Sequence, residues 1–458
     1  MTIPEIVSLQ KAFFESQKTK DVNYRLQLLK TLKQEILVKE QDIYNALYKD
    51  FKKSPFEAFL SEFGLVVSAL DLAIKDVKKW SKPKRVRPSL LTFPSKDYIY
   101  KVPYGTVLII APWNYPFLLA LEPLIMAIAA GNTVVVKPSE LTEHTSKVIT
   151  KIIENVFPKE IAISIEGGVE TSTELLKQHW GYIFFTGSTL VGKMVAVAAA
   201  KHLTPVTLEL GGKSPCIIDD TVDLKLTARR LVWGKLLNGG QTCIAPDYVI
   251  VKSNIKTSFI AALKAEIIKQ YGENPKNSPD FPRIINQRHF LRLKHLLAGT
   301  DVVFGGDTDE ETLYISPSLV NEPELDSAIM SDEIFGPILP ILSFETEKDI
   351  ERIIHKLENP LALYVFSKNK KFTKTIINKY SFGGGVVNDV LTHLGNHRLP
   401  FGGIGSSGMG QYHGIHSFNT FTHQKSIMKR GTWLDPALRY APYKNKFKVL
   451  KTFFKYFG

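Results

Sequence analysis

Two apolar runs, each followed by a polar turn, decide the fold: TVLIIAPWNYP at residues 106–116 and TVVVKPSE at residues 133–140. The apolar part of each run is short, continuous and β-branched, which predicts strands buried on both faces of a parallel sheet. Further strands are predicted at residues 162–165 and 182–185, with helical stretches between them. Strands that alternate with helices indicate a doubly wound α/β sheet, which binds ligands at the carboxyl ends of its strands.

Outward from this sheet, the chain divides into further segments. Residues 1–80 have apolar positions at helical spacing, and a Pro- and Lys-rich connection at 81–94 separates them from the strands. The alternation restarts after Glu209 and runs to about Val387, which predicts a second α/β domain. A length of 458 residues also exceeds what one compact core usually holds.

Composition and charge restrict the class of protein. No apolar run is long enough for a membrane-spanning helix, and we expect no secretory signal. Cys216 and Cys243 are the two cysteines, too few for a disulfide framework, so a cytoplasmic location is expected. The net charge of +13 is concentrated in residues 75–101 and 424–458, so nucleic-acid binding ranks last and no nucleic-acid partner is predicted.

Cys243 ends the segment GGQTC, just after a predicted helix end. A cysteine on a loop is a candidate nucleophile, although a lone cysteine is more often a small buried hydrophobic residue. The neighbouring helix C-terminus does not stabilise a thiolate, so activation must come from another group. Cys216 lies in an apolar run and is assigned to packing.

Glu209 and Asn114 are candidate partners for this cysteine. Glu209 ends an apolar strand, where burial would raise the pKa of its carboxyl and suit it to general-base chemistry. A structural ion pair is an equally good interpretation of Glu209 alone. Asn114 follows the first strand, where its amide is able to stabilise a developing oxyanion. Its place between two prolines favours a simple turn role when Asn114 is taken alone.

Two strand ends are candidate nucleotide contacts. Lys137 ends the second strand and is able to reach a ribose or a phosphate, unless it is a solvated strand end. The segment GSTLVG at 187–192 opens a helix whose N-terminus suits an anion, but it is not the G-x-G-x-x-G fingerprint. No metal site is predicted, because the eleven histidines form no recognisable ligand pattern.

Seven segments together carry a resemblance to a known family. They are APWNYP (111–116), VVVKPSE (134–140), FFTGSTLVGK (184–193), VTLELGGKSP (206–215), GGQTC (239–243), EIFGP (333–337) and LPFGGIGSSGMG (399–410). In this order and at these separations they resemble the aldehyde dehydrogenase superfamily, over about residues 5–430. The segment at 388–414 is most similar to the class 3 branch, which includes fatty aldehyde dehydrogenases.

The resemblance implies a role for each matched residue. Cys243 matches the nucleophile and Glu209 the general base, while Asn114 matches the oxyanion-hole donor together with the backbone N–H of Cys243. The implied cofactor is NAD, because Glu140 repels a 2′-phosphate, although class 3 enzymes often accept NADP as well. The implied cofactor contacts are Trp113, Lys137, Glu140, Thr186, Gly187, Ser188, Gly192, Glu333 and Phe335, and the expected tunnel residues are Tyr115 and Leu237.

The fold that the resemblance implies has three parts. A Rossmann-like NAD(P)-binding domain spans residues 1–208, with 388–410 returning to it, and an α/β catalytic domain spans 209–387. A small β oligomerisation element is expected from 84–102 and 411–430, typical of a homodimer.

Residues 431–458 remain as a basic C-terminal tail. Within it, Phe and Lys side chains fall on separate faces of a predicted helix at 444–458. Such a helix is able to make peripheral contact with an anionic membrane or to pack on the partner subunit, and we favour the second.

The implied activity is oxidation of an aldehyde to a carboxylic acid through a thioester on Cys243, which a Glu209-activated water hydrolyses. Medium- or long-chain aliphatic or aromatic aldehydes are the expected substrates. The alternatives are a CoA-acylating or phosphate-releasing enzyme, which a hydrolytic Glu209 opposes, a cysteine hydrolase without a cofactor, and a non-catalytic binding protein on the same fold.

Overall fold

The structure is a computed structural model that describes residues 1–357 and 359–457, with the backbone alone for Phe457. Glu358, inside the predicted catalytic domain, and Gly458, in the predicted tail, lie outside the described residues. The helices are α1 (Ile3–Glu15), α2 (Val22–Val38), α3 (Glu40–Phe51), α4 (Pro55–Ala58), α5 (Gly64–Trp80), α6 (Pro116–Ala130), α7 (Glu143–Val156), α8 (Val169–Leu176), α9 (Thr189–Ala200), α10 (Leu224–Leu236), α11 (Lys256–Tyr271), α12 (Gln287–Leu297), α13 (Ala328–Ser331), α14 (Glu347–His355), α15 (Lys370–Lys379), α16 (Ile415–Thr420) and α17 (Phe447–Phe457).

The strands form two large sheets and two small ones. They are β1 (Lys84–Val86), β2 (Ser95–Pro103), β3 (Thr106–Ile110), β4 (Thr133–Lys137), β5 (Ala162–Ser164), β6 (Tyr182–Thr186), β7 (Val206–Glu209), β8 (Pro215–Ile218), β9 (Tyr248–Lys252), β10 (Val302–Phe304), β11 (Thr308–Asp309), β12 (Tyr314–Ile315), β13 (Ser318–Asn321), β14 (Ile338–Phe344), β15 (Ala362–Phe366), β16 (Gly384–Val387), β17 (Gly408–Met409) and β18 (Thr422–Arg430).

The first large sheet has the strand order β17-β7-β6-β3-β4-β5 and is parallel except for β17. Every residue of β3, β4 and β6 is buried, which explains their continuous apolar runs. The chain winds from β3 to β5 in one direction and then crosses back to β6 on the other side of β3. The order of the strands therefore reverses between β3 and β6, where doubly wound sheets bind nucleotides.

The second large sheet has the order β10-β13-β14-β9-β8-β15-β16, and only its edge strand β10 runs antiparallel. The restart of the α/β pattern predicted after Glu209 is therefore found, and it ends at Val387 with β16. A separate three-stranded antiparallel sheet joins β1, β2 and β18, with residues Ser95 to Pro103 paired against Arg430 to Thr422.

Helix α6 runs through Pro123 and begins seven residues before it, at Pro116. A proline within a helical segment favours a kink or a helix start, but α6 already begins at Pro116. Pro116 occupies the first turn, where a missing N–H costs nothing. The Glu62 carboxylate also accepts hydrogen bonds from the backbone amides of Phe117 and Leu118, at 2.8 and 3.2 Å, which satisfies the new helix end.

Helix α17 lies in the basic tail with most of its apolar residues exposed. Phe447, Leu450 and Phe454 are 66%, 40% and 51% exposed, and the nearby Lys448 and Lys451 are exposed as well. The tail thus exposes both apolar and basic side chains. Among the described residues, the helices are all too short or too polar to cross a membrane.

Candidate active site

The loop that carries Cys243 is held in a left-handed turn. After α10 the chain passes through Asn238, Gly239 and Gly240 with φ angles of 55°, 63° and 76°. A side chain at Gly240 would collide with the carbonyl of Gly336, so this glycine permits the loop to pack against the EIFGP segment. The turn directs Cys243 away from the end of α10 and into the interior, as an intermediate rather than exposed residue.

The turn after β3 contacts this loop through hydrogen bonds. Asn114 donates from Nδ2 to the carbonyl of Gln241 at 3.1 Å, and its own carbonyl accepts from Asn238 Nδ2 at 2.8 Å. The hydroxyls of Tyr115 and Thr242 lie 2.5 Å apart. An amide nitrogen has two N–H groups, and the bond to Gln241 uses one of those of Asn114.

A cavity of about 270 Å³ ends at these residues. Glu209, Cys243 and Thr186 lie on its polar wall, and the predicted tunnel residues Tyr115 and Leu237 line it as well. The other walls are mostly apolar and include Leu60, Leu65, Leu118, Leu119, Trp233, Ile244, Leu391, Leu394, Phe401 and Tyr412. An apolar pocket with a few polar groups at one end is the usual form of a small-molecule site.

The polar groups at this end lack partners. Neither carboxylate oxygen of Glu209, nor the hydroxyl of Thr186, has a hydrogen-bond partner among the described residues. Burial, and then the charge of Glu122, raise the pKa of Glu209 well above its usual value. Burial, followed by the charges of Glu333 and Glu209, also raises the pKa of Cys243. Hydrogen bonds from the backbone amides of Cys243 and Ile244 act in the opposite direction, but they do not offset this rise.

Glu333 lies near Cys243, because its charge raises the pKa of the thiol. Glu333 accepts a backbone hydrogen bond from Gly212, and a side chain at Gly211 would collide with its carboxylate. Burial raises the pKa of Glu333 well above its usual value. The rings of Trp113 and Phe335 meet edge to face at 5.2 Å. Phe335 therefore contacts the residue that precedes Asn114, while Glu333 lies near Cys243.

The turn between β6 and α9 has the features of an anion site. Ser188 caps α9 by accepting from the amide of Val191 at 3.4 Å. Side chains at Gly187 and Gly192 would press on Phe185 and Leu210, so both glycines allow close packing of the turn and helix. The exposed first turn of α9 leaves backbone N–H groups open to a phosphate.

Lys137 and Glu140 lie at the neighbouring strand end. Lys137 Nζ pairs with Glu140 at 2.7 Å, and the lysine is buried while Glu140 is 42% exposed. A cavity of about 170 Å³ beside them is lined by Glu140, Glu143 and Glu166. Three carboxylates suit ribose hydroxyls better than a 2′-phosphate. The residues present along this edge therefore fit a dinucleotide.

Sequence reasoning missed four charged residues near the site: Lys53, Glu57, Glu62 and Glu122, all buried. Glu57 accepts from the amide of Asn238 at 2.7 Å. Lys53 and Glu62 form an ion pair at 2.5 Å with both side chains fully buried. Glu122 was detectable, since it is a lone acid in an otherwise apolar helix, but the first three resemble ordinary surface charges.

Known proteins resemble this chain in both sequence and fold. Residues 2–427 match the aldehyde dehydrogenase family. The 4,4'-diaponeurosporen-aldehyde dehydrogenase of Staphylococcus aureus is 49% identical over 97% of each chain, and aldehyde dehydrogenase family 3 member A2 of Pongo abelii is 46% identical over 98% of this chain and 94% of that one. The solved substrate-bound state of Staphylococcus aureus AldH superposes with a TM-score of 0.97 at 48% identity, covering 99% of this chain and 100% of that chain.

The fold and site therefore define an α/β enzyme of the NAD(P)-linked type. The chain belongs to the aldehyde dehydrogenase family, and class 3 enzymes are among its relatives. It is an oxidoreductase that oxidises aldehydes to carboxylic acids with NAD or NADP. The acylating and non-catalytic alternatives are not favoured.

Proposed function

We propose that Cys243 attacks the aldehyde carbon, that Asn114 and the backbone N–H of Cys243 stabilise the oxyanion, and that Glu209 activates the hydrolytic water. One observation carries this proposal: Cys243 and Glu209 line the same end of one apolar cavity. Each oxyanion donor contributes on the order of 3 kcal/mol to such a step. Glu209 argues against a CoA-acylating enzyme, because a hydrolytic base would consume the thioester.

The chain's residues move protons and exclude water around this reaction. The cysteine thiol releases its proton to solvent and its sulfur bonds to the carbonyl carbon, with the oxyanion held by Asn114. Bound NAD⁺ supplies the acceptor for the hydride that leaves this carbon, and a thioester on Cys243 remains. Glu209 then takes a proton from water, whose oxygen attacks the thioester, and the acid departs as the thiol is restored. The raised pKa of Glu209 makes its carboxylate a stronger base for this proton transfer once it is ionised.

The cofactor contacts are proposed as the resemblance implies them. Lys137 and Glu140 hold the adenosine ribose, and Glu333 and Phe335 hold the nicotinamide ribose. The turn with Thr186, Gly187, Ser188 and Gly192 receives the pyrophosphate, and Trp113, whose ring contacts Phe335, is a further cofactor contact. The acidic surroundings of Glu140 favour NAD over NADP.

Medium- or long-chain aliphatic or aromatic aldehydes are the proposed substrates. The cavity walls are mostly apolar, and Tyr115, Leu237 and several other leucines line them. Burial of apolar surface contributes about 0.8 kcal/mol per CH₂ group. A longer chain should therefore bind more tightly until the cavity is filled.

The first experiment measures NADH formation with aldehydes of increasing chain length, for the wild type beside Cys243→Ala. Activity that rises with chain length and vanishes in the variant supports both the thioester and the substrate class. Activity limited to small aldehydes rejects the substrate class alone. A variant that keeps NADH formation rejects Cys243 as the nucleophile.

Assembly and location complete the proposal. We propose a cytoplasmic homodimer that uses the sheet of β1, β2 and β18 as its oligomerisation element, within domains bounded as predicted at 208 and 387. The tail, residues 431–458, packs on the partner subunit in this proposal. Removal of residues 444–458 should then weaken the dimer in sedimentation experiments. A loss of binding to anionic vesicles, with the dimer intact, would instead assign the tail to a membrane surface.

A further inference from the structure

The reverse side of the catalytic loop rests on a carboxylate from a distant part of the chain. Asn238, fully buried and in the left-handed conformation, donates its backbone N–H to Glu57 Oε1 at 2.7 Å. Glu57 belongs to α4 and is itself buried. The left-handed turn that carries Cys243 is therefore fixed at its first residue by a side chain 181 positions away.

Asn238 connects this anchor to both halves of the oxyanion hole. Its Nδ2 donates to the carbonyl of Asn114 at 2.8 Å and to the carbonyl of Gln241 at 3.1 Å. Asn114 in turn donates to the same Gln241 carbonyl. A shift of Asn238 would thus change the separation of Asn114 from Cys243, the two groups that must meet one oxygen atom.

The segment that carries Glu57 also contacts the cavity. After α4 the chain continues through a π-helical stretch, Phe59–Phe63, an irregularity that is common at functional sites. Leu60 and Ser61 line the cavity from this stretch, and Glu62 caps the helix that follows Asn114. One short segment therefore lies against both the predicted substrate wall and the loop behind Cys243.

The surroundings of Glu57 move the ionisation of its carboxyl to near neutral pH. Burial raises the pKa of Glu57 to about 7, and the opposing Lys53 lowers it. The other titratable groups that face it are Glu62, Asp280, Tyr115 and Tyr271. The carboxylate is ionised above this pKa, where it accepts the Asn238 N–H more strongly than a neutral group would.

We propose that Glu57 is a positioning residue that holds the oxyanion hole at its working geometry through Asn238, and that this role depends on the charge of its carboxylate. The proposal rests on the roles given above to Cys243 and Asn114. Glu57 touches no reacting atom. Its effect should therefore be seen in kcat/KM for aldehyde oxidation and in the pH dependence of that value.

The test compares the wild type with Glu57→Gln across about pH 6 to about pH 9, at saturating NAD. Glutamine keeps an acceptor for Asn238 but carries no charge. The wild-type kcat/KM is divided by that of Glu57→Gln, which removes the effect of ionisations that both proteins share. We expect a ratio near one at the acid end, which rises through the pKa of Glu57 to about fivefold, the difference between a charged and a neutral hydrogen bond. A ratio that is constant with pH overturns the proposal.

Asn238→Gly tests the link if Glu57→Gln does not fold. Glycine adopts the left-handed backbone and keeps the N–H that reaches Glu57, but removes both side-chain bonds. We expect kcat/KM to fall about tenfold, since two hydrogen bonds are lost, with little change in the KM for NAD. Unchanged kcat/KM in this variant would also overturn the proposal.

Asp50→Asn is the matched control. Asp50 also has a raised pKa and also accepts backbone N–H groups, but from His144 and Thr145 at the start of α7, away from the loop. Its ratio to the wild type should not change with pH. An inactive Cys243→Ala beside a flat Glu57→Gln ratio rejects only the positioning role, whereas an active Cys243→Ala rejects the proposed mechanism itself.

Discussion

The buried carboxylates on the two sides of the catalytic loop differ in their hydrogen-bond partners. On the cavity side, Glu209 has no partner for either oxygen, and Glu122 has none for one of its oxygens, among the described residues. On the reverse side, Glu57 and Glu62 accept backbone or lysine hydrogen bonds at 2.5 to 3.2 Å. The two pairs are equally buried, so the difference lies in their partners.

This difference separates chemistry from support. A buried carboxylate without partners costs several kcal/mol when it is charged, so it stays protonated more readily and exchanges its proton with whatever enters the cavity. A buried carboxylate with partners is fixed in place. Unpartnered groups therefore indicate where substrate and water bind, and partnered groups indicate what keeps Cys243 and Asn114 in position.

The largest expected effect follows removal of the unpartnered base. Glu209→Gln should slow thioester hydrolysis about 10²- to 10⁴-fold, because Glu209 is the base proposed to activate the water. Formation of the thioester should continue, so a burst of NADH equal to the enzyme concentration should precede a very slow steady state. Rapid-mixing measurements with mass detection of the acylated Cys243 check this result.

Glu57→Gln serves as the control for that experiment. It makes the same chemical change on the reverse side of the loop, so it should not accumulate acyl-enzyme. A Glu209 variant that turns over at the wild-type rate, or that loses the burst together with the steady state, would remove the distinction between the two sides.

A smaller effect, on stability, is expected from the partnered side. Lys53→Met leaves Glu62 as an unpaired buried charge at the start of α6, which should reduce the free energy of unfolding by about 3–5 kcal/mol. Urea denaturation checks the value. Lys147→Met removes one partner of the exposed pair with Glu143 and should leave the unfolding midpoint unchanged. Equal midpoints for the two variants would contradict the supporting role of Lys53.

Much of the fold and the reactive residues could be predicted from the sequence. The strands before Asn114 and Lys137 were predictable, because buried parallel strands leave continuous apolar runs. Cys243 and Glu209 stood out only once the seven segments were considered together, since each residue alone has an ordinary structural interpretation. Their roles remain predictions, but they do lie together at the end of one cavity.

The supporting residues could not be predicted for a physical reason. Glu57 contacts Asn238 across 181 positions and Glu62 contacts Phe117 across 55. In the sequence, Lys53, Glu57 and Glu62 resemble ordinary exposed charges, and only tertiary packing buries them. Glu122 differs, because a single acid among apolar neighbours in α6 carries the same signal that identified Glu209.

The smallest expected effect concerns the electrostatic coupling between Glu122 and Glu209. Glu122 lies one turn beyond Leu118, which lines the cavity, and its Oε2 is 3.9 Å from His413 Nε2. After burial, its charge is the next cause that raises the pKa of Glu209. Glu122→Gln removes that charge and should lower the pKa of Glu209.

A base acts only above its pKa, so thioester hydrolysis in Glu122→Gln should begin to rise at a lower pH than in the wild type. Single-turnover release of the acid, measured from preformed acyl-enzyme across the pH range, checks the direction. Glu347→Gln, on the exposed face of α14, should leave the profile unmoved. A shift to higher pH would mean that Glu122 helps Glu209 to lose its proton. Glu122 would then be a supporting residue, as Glu57 and Glu62 are on the reverse side of the loop.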